Sequence, residues 1–203
     1  MHLAVTPIAD QRSAEILASV RQAFAEKGFD GASMQDLARA AGISVGSFYR
    51  YFPSKAAIVD ALIASDLAGM EQDFAEILLS NHPMRALRTK LRQIIPEHQC
   101  NQDGQLWAEI TAAALRKPEI GAAACRMETE IIGYMTRVFA AETGLSLAEA
   151  LRRFSSHASF IVMLVKSSAA ISRETPELDH LNALIFRAID QTLDDLASTT
   201  LKA

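Results

Sequence analysis

A chain of 203 residues, half of them hydrophobic, can bury a sizeable core and is long enough for one domain or two. Its net charge of −4 leaves no basic blanket for nucleic acid, and two cysteines, Cys100 and Cys125, without Cys-x-x-Cys spacing argue against a disulfide framework and a zinc site. The opening Met1-His-Leu-Ala-Val-Thr-Pro-Ile8 lacks a basic start and a long apolar core, and the longest apolar run, Phe160–Val165, is far too short to cross a bilayer, so a reduced, cytoplasmic protein without membrane contact is expected.

In chain order the periodicity is helical almost throughout. Residues 11–27 place Ile16, Leu17, Val20 and Phe24 on one face, with Gly28 as the stop and Phe29 packing back. Ser33 is a good N-cap and Asp36 completes a capping-box-like pair, after which Leu37, Ala38 and Ala41 form an apolar stripe ended by Gly42. Ile43 plugs the turn and Ser44 caps a second short helix, whose Val45, Phe48 and Phe52 can point inward. Two short helices broken by a tight turn are a helix-turn-helix grammar. The outward set of the second contains Ser44, Gly46, Ser47, Tyr49, Arg50 and Tyr51, where a surface chosen for solubility would carry Lys and Glu. Small residues at the start of such a helix suit the major groove, because bulk there would hold the backbone away from the base edges.

A long helix is expected from about 55 to 79, leaving the head and entering the body. Pro83 opens the next, which runs through Leu87, Leu91, Ile94 and Ile95 until Pro96. A polar break at Asn101-Gln-Asp-Gly104 precedes a stripe of Leu106, Trp107, Ile110 and Ala114 that ends at Lys117-Pro118, and the chain is helical again to about Glu142. Gly144 closes that helix. Ser146-Leu-Ala-Glu149 is a capping box for the following one, which is apolar all round from Ala158 to Val165 and so implies burial on more than one side. Thr175-Pro176-Glu177 starts the last helix, with Leu178, Leu181, Ile185, Ile189, Leu193 and Leu196. Two such helices carry more oily surface than one monomer needs, and a two-fold four-helix bundle with a second copy would bury it.

Residues 1–60 carry six Lys/Arg and six Asp/Glu, so the excess acid lies in the remainder and the motif, not the charge, makes the DNA argument. That motif is specific. Ser44-Val-Gly-Ser-Phe-Tyr-Arg-Tyr-Phe-Pro-Ser-Lys55, preceded by Ala40-Ala-Gly42 and Phe29-Asp-Gly-Ala-Ser33, resembles the DNA-binding signature of the TetR/AcrR regulators across about residues 10–65. The resemblance implies an all-α fold: an N-terminal three-helix helix-turn-helix head over 1–55, and a C-terminal helical ligand-binding and dimerisation body over 56–203. It further implies that Ser33, Tyr49, Tyr51 and Lys55 hold phosphates while Ser44, Val45, Gly46 and Ser47 approach base edges. The implied partners are a palindromic double-stranded DNA operator, a second copy through the last two helices, and a small-molecule effector whose binding displaces the long linking helix, most often releasing a repressor.

Trp107, Ile110, Met127, Ile131, Tyr134, His157 and Phe160 are the candidate effector contacts, since that helix region lines a cavity in the family; their apolar and aromatic bias suggests a hydrophobic or aromatic ligand, with Glu109, His157 or Tyr134 as polar fixers. Each also has a plainer reading as core or interface. No catalytic residue, metal or cofactor is assigned. Glu177-Leu-Asp-His180 is a single Glu-x-x-His where a carboxylate-bridged metal site needs two, and His98 near Cys100 lacks further ligands at useful spacing. A helical metal-dependent enzyme and a protein-interaction module remain the alternatives, and neither explains the glycine and tyrosine pattern.

Overall fold

A computed structural model describes residues 8–100, 102–169, 171 and 176–200. Among them every regular element is a helix, as expected for an all-α chain: α1 (Ile8–Lys27), α2 (Met34–Ala40), α3 (Val45–Tyr51), α4 (Lys55–Leu79), α5 (Pro83–Cys100), α6 (Gln102–Ala114), α7 (Pro118–Thr143), α8 (Leu147–Ala169) and α9 (Leu178–Thr200). No helix among the described residues is long and apolar enough to cross a membrane. Thr175, expected as the start of the last helix, lies outside the described residues.

The compact units do not divide at the expected boundary after residue 55. One unit comprises the chain up to Asp66 together with Gln105–Ala124; the other comprises Leu67–Gly104 and the chain from Cys125 onward. The reason is helix continuity: α4, α6 and α7 each contribute residues to both units, so no single peptide bond separates them. In the first unit α1 packs on α2 and α2 on α3. Its buried side chains include Ile16, Val20, Phe24, Phe29, Leu37, Phe48, Ile58 and Leu62, joined from α6 and α7 by Leu106, Ile110 and Ile120. Phe24 stacks on Phe29 with ring centroids 5.3 Å apart, which seats the residue after the helix stop against α1.

In the second unit α5, α8 and α9 pack on one another. Leu87, Leu91 and Ile95 from α5, Phe154, Ala158 and Ile161 from α8, and Ile185, Ile189, Leu193 and Leu196 from α9 belong to one core cluster, with Val138 and Phe139 of α7. Of the last-helix stripe read from the sequence, Ile185, Ile189, Leu193 and Leu196 are buried, while Leu178 and Leu181 are half-buried. Polar ties join α5 to α9 at the edge of this core: Arg88 pairs with Asp190 at 2.8 Å and Asp194 at 2.5 Å, and the amides of Gln99 and Asn182 exchange hydrogen bonds at 2.9 and 3.1 Å. The expected stop at Pro96 does not occur, because α5 continues to Cys100 with Pro96 inside it. Proline removes one backbone bond there, while buried Leu91, Ile95 and Gln99 keep that face of the helix on the core.

Candidate nucleic-acid interface

The reading pair is built by short-range chemistry. Ser33 sits in extended backbone and its Oγ accepts from the amide of Asp36 at 3.1 Å, while the Asp36 carboxylate accepts from the Ser33 amide at 3.0 Å, a complete capping box for α2. Asp36 also takes the Lys27 ammonium at 2.6 Å, and hydrogen bonds from Lys27 and Ser33 hold its carboxyl well below the usual carboxylate range. Gly42 then turns the chain with φ +66°, a conformation that costs other residues steric strain, and the Ile43 amide returns to the carbonyl of Ala38 at 3.1 Å. Ser44 caps α3 by accepting from the Ser47 amide at 3.1 Å.

Burial fixes which face of α3 is presented. Phe48 is fully buried and Phe52 nearly so, their rings 5.6 Å apart, and together they anchor the helix. Val45, expected to point inward by periodicity, is 38% exposed because it stands at the first turn, beside Ser44 and Gly46. Ile43, the expected plug of the turn, is half-buried. Tyr49 and Tyr51 are exposed at 48% and 43%. Gly46 is exposed, and a Cβ built on it would meet nothing within 4 Å. Arg50, absent from the expected contacts, belongs to this surface: its guanidinium donates to Ser47 Oγ at 3.2 Å, and Ser47 Oγ in turn lies 2.9 Å from Ser44 Oγ. A basic side chain one turn beyond a serine on an exposed helix was visible in the sequence.

Two of the expected phosphate-holding groups are already engaged. The Ser33 hydroxyl serves the capping box, and the Lys55 ammonium donates to the carbonyls of Phe29 at 2.7 Å and Asp30 at 3.2 Å. Burial lowers the Lys55 pKa, with Lys117 nearby pushing the same way.

The candidate effector contacts fall into both compact units. Trp107, half-buried, and Ile110, fully buried, lie on α6 in the first. In the second, Met127 and Ile131 are half-buried on α7, and Tyr134 is buried with its ring 5.5 Å from that of Phe74. Burial, and then the charges of Glu71 and Glu130, raise the Tyr134 phenol. On α8, His157 is half-buried edge-on to Phe154 at 5.7 Å, its Nδ1 enclosed without a hydrogen-bond partner among the described residues, whereas Phe160 is 39% exposed. Two surface hollows of the second unit, of about 540 and 460 Å³, are lined by other residues, among them Asp73, Arg85 and Lys90 in the larger. Glu109, expected as a polar fixer for the effector, instead accepts from the Phe29 amide at 3.0 Å.

A capped, two-helix reading pair on a small helical unit, with a second helical unit attached, defines the class of helix-turn-helix regulators. Residues 16–62 match the bacterial regulatory proteins of the tetR family. The chain is 39% identical over 84 residues to the HTH-type transcriptional regulator EthR of Mycolicibacterium smegmatis and 30% identical over 107 residues to UidR of Escherichia coli K12. Those matches cover 40% and 53% of this chain, and only 39% and 54% of the relatives' own lengths. Salmonella enterica GusR has the same fold over 99% of this chain and 100% of its own, with a TM-score of 0.73 at 22% identity. Residues 16–62 thus carry the DNA-binding region of the tetR family of bacterial regulatory proteins.

Proposed function

We propose that the protein is a cytoplasmic, homodimeric repressor that holds a palindromic operator with paired α3 helices and releases it on binding a small hydrophobic or aromatic effector. The observation that carries the reading is the exposed face of α3: Gly46 has open space where a side chain would begin, and Ser44, Val45, Ser47, Tyr49, Arg50 and Tyr51 surround it on a helix pinned by buried Phe48. Small residues and a branched methyl pair suit base edges, while tyrosine hydroxyls and Arg50 suit the flanking phosphates. The second copy docks on α8 and α9, where Leu147, Leu151, Phe160, Met163 and Leu184 are exposed. Two copies then set recognition helices about one DNA turn apart.

Met127, Ile131 and Tyr134 on α7 offer the effector apolar contact, and the enclosed, unpartnered Nδ1 of His157 is a polar atom that a hydrogen-bonding group of the ligand would satisfy. The effector acts through α4, whose residues are shared between the two units, and it shifts the operator-competent state only by its differential affinity for the two states, typically about 1–3 kcal/mol.

The test is fluorescence anisotropy of the full chain against duplexes tiling the DNA upstream of its own gene, with a shuffled control at near-physiological salt. One segment is expected to bind at least about a thousandfold tighter than the control. Equal, weak binding of every segment, persisting after bound ligand is extracted and a genome-wide site search is made, overturns the reading.

A further inference from the structure

The loop between α1 and α2 is held from outside the helix-turn-helix, by residues some eighty positions later in the same compact unit. Glu109 on α6 accepts from the Phe29 amide at 3.0 Å. Asp30 takes two cations from the corner between α6 and α7: Lys117 Nζ on Oδ1 at 2.6 Å and Arg116 Nη2 on Oδ2 at 2.8 Å. From the start of α4, Lys55 caps the carbonyls of residues 29 and 30. The Phe29 ring, almost fully buried, has the ammonium groups of Lys55 and Lys117 each 5.2 Å from its centroid. The amide of residue 29, the carbonyls of 29 and 30, and both carboxylate oxygens of Asp30 are therefore all engaged.

An isolated surface ion pair would count for little. This cluster differs because Glu109 and Lys55 bond to main-chain groups that are partly buried, so removing either leaves a backbone donor or acceptor short of a partner. Gly28, just before it, has φ +74°, and a Cβ there would lie 3.0 Å from Glu109 Oε2. Three residues beyond Asp30 stands Ser33, the N-cap of α2, so the loop's position sets where α2 begins, and α2 carries α3.

We propose that Glu109, Arg116 and Lys117 are positioning residues for DNA binding: from the α6–α7 corner they fix the α1–α2 loop, and with it the pose of the reading pair. The inference rests on the proposed operator binding by α3. None of the three touches DNA in this scheme; each acts through residues 29 and 30.

The experiment compares full-length wild type with Glu109→Ala, Glu109→Gln and the double variant Arg116→Gln/Lys117→Gln. Amide hydrogen exchange is read on the free proteins, and affinity for the duplex selected by tiling is read over a range of salt. Glu109→Ala should deprotect the Phe29 amide and lower operator affinity about tenfold, while the dependence on salt keeps its slope because no phosphate contact is lost. Glu109→Gln retains an acceptor and should recover most of both effects. The double variant should loosen the same loop, also at constant slope.

Wild-type affinity in Glu109→Ala despite a deprotected loop overturns the inference, as does an unchanged Phe29 amide. A salt slope flattened by about one or two units in the double variant overturns it too, because Arg116 and Lys117 would then be phosphate contacts. If the wild type itself shows no selective duplex, it is the operator reading that has failed, and the inference falls with it.

Discussion

α3 and α8 each leave a group of apolar side chains in water, and they do so with different chemistry. On α3 the exposed apolar groups are Val45 and the rings of Tyr49 and Tyr51, set among Ser44, Gly46, Ser47 and Arg50. On α8 they are Leu147, Leu151, Phe160 and Met163, aliphatic or aromatic without a hydroxyl, and α9 adds Leu184. Tyrosine has an apolar body and a polar tip, so it tolerates water and can meet a phosphate oxygen at a wet interface. Leucine and methionine gain only from losing water altogether, which needs a partner surface as oily as their own. The contrast teaches that exposure alone does not name a partner. The hydrogen-bonding groups mixed into the exposed patch do.

The largest expected effect separates the two surfaces cleanly. Gly46→Arg adds a side chain at an exposed position where a Cβ meets nothing within 4 Å, in a helix that arginine favours over glycine by about 1 kcal/mol, so the fold should lose no stability. Its specific operator affinity should nevertheless fall by at least about a hundredfold, measured by anisotropy against the tiled duplex with light scattering to confirm the dimer. Operator affinity near wild type would remove α3 as the reading helix. The converse variant, Met163→Glu, places a charge in the oily patch of α8. We expect it to weaken self-association by at least about thirtyfold by sedimentation equilibrium, leaving helical content unchanged. A wild type that stays monomeric at micromolar concentration would show that the α8 and α9 patch has some other occupant.

These surfaces were legible in the sequence to different degrees. The reading pair was legible because its signals are local: the Ser33–Asp36 and Ser44–Ser47 caps span three residues, and Gly42 marks its own turn. The buried stripe Ile185, Ile189, Leu193 and Leu196 of α9 followed from helical period alone. Pro96 was misleading, since a strong local stop signal was outweighed by packing of Ile95 and by the pairing of Gln99 with Asn182, a residue 83 positions away. The loop anchor was illegible for the same reason. Asp30, Arg116 and Lys117 are ordinary exposed charges in the sequence, and nothing periodic says that they meet. Glu109 was drawn toward the effector by its neighbours Trp107 and Ile110, and only the fold turns it to Phe29. Phe160, in an all-apolar run, gave no sign of which side would be left bare.

The smallest expected effect tests the loop that supports the first of these surfaces. Hydrogen bonds from Lys117 and then Arg116 hold the Asp30 carboxyl down at about 2, below its ordinary value of 3.8. A carboxylate whose folded pKa is depressed binds fewer protons in the native state, so its contribution to stability is fully present above the ordinary value and is lost as pH falls toward 2. The difference in urea stability between wild type and Asp30→Asn should therefore stay constant from neutral pH to about pH 4 and shrink below it. Both Asp30 and Arg116 are well exposed, so the same difference should also narrow in high salt, which screens such pairs. A difference that ignored both pH and salt would mean that Asp30 matters through its shape in the loop and not through its charge. Arg116 and Lys117 would then have nothing ionic to hold, and Glu109, bonded to the main chain, would be left to anchor the loop from α6.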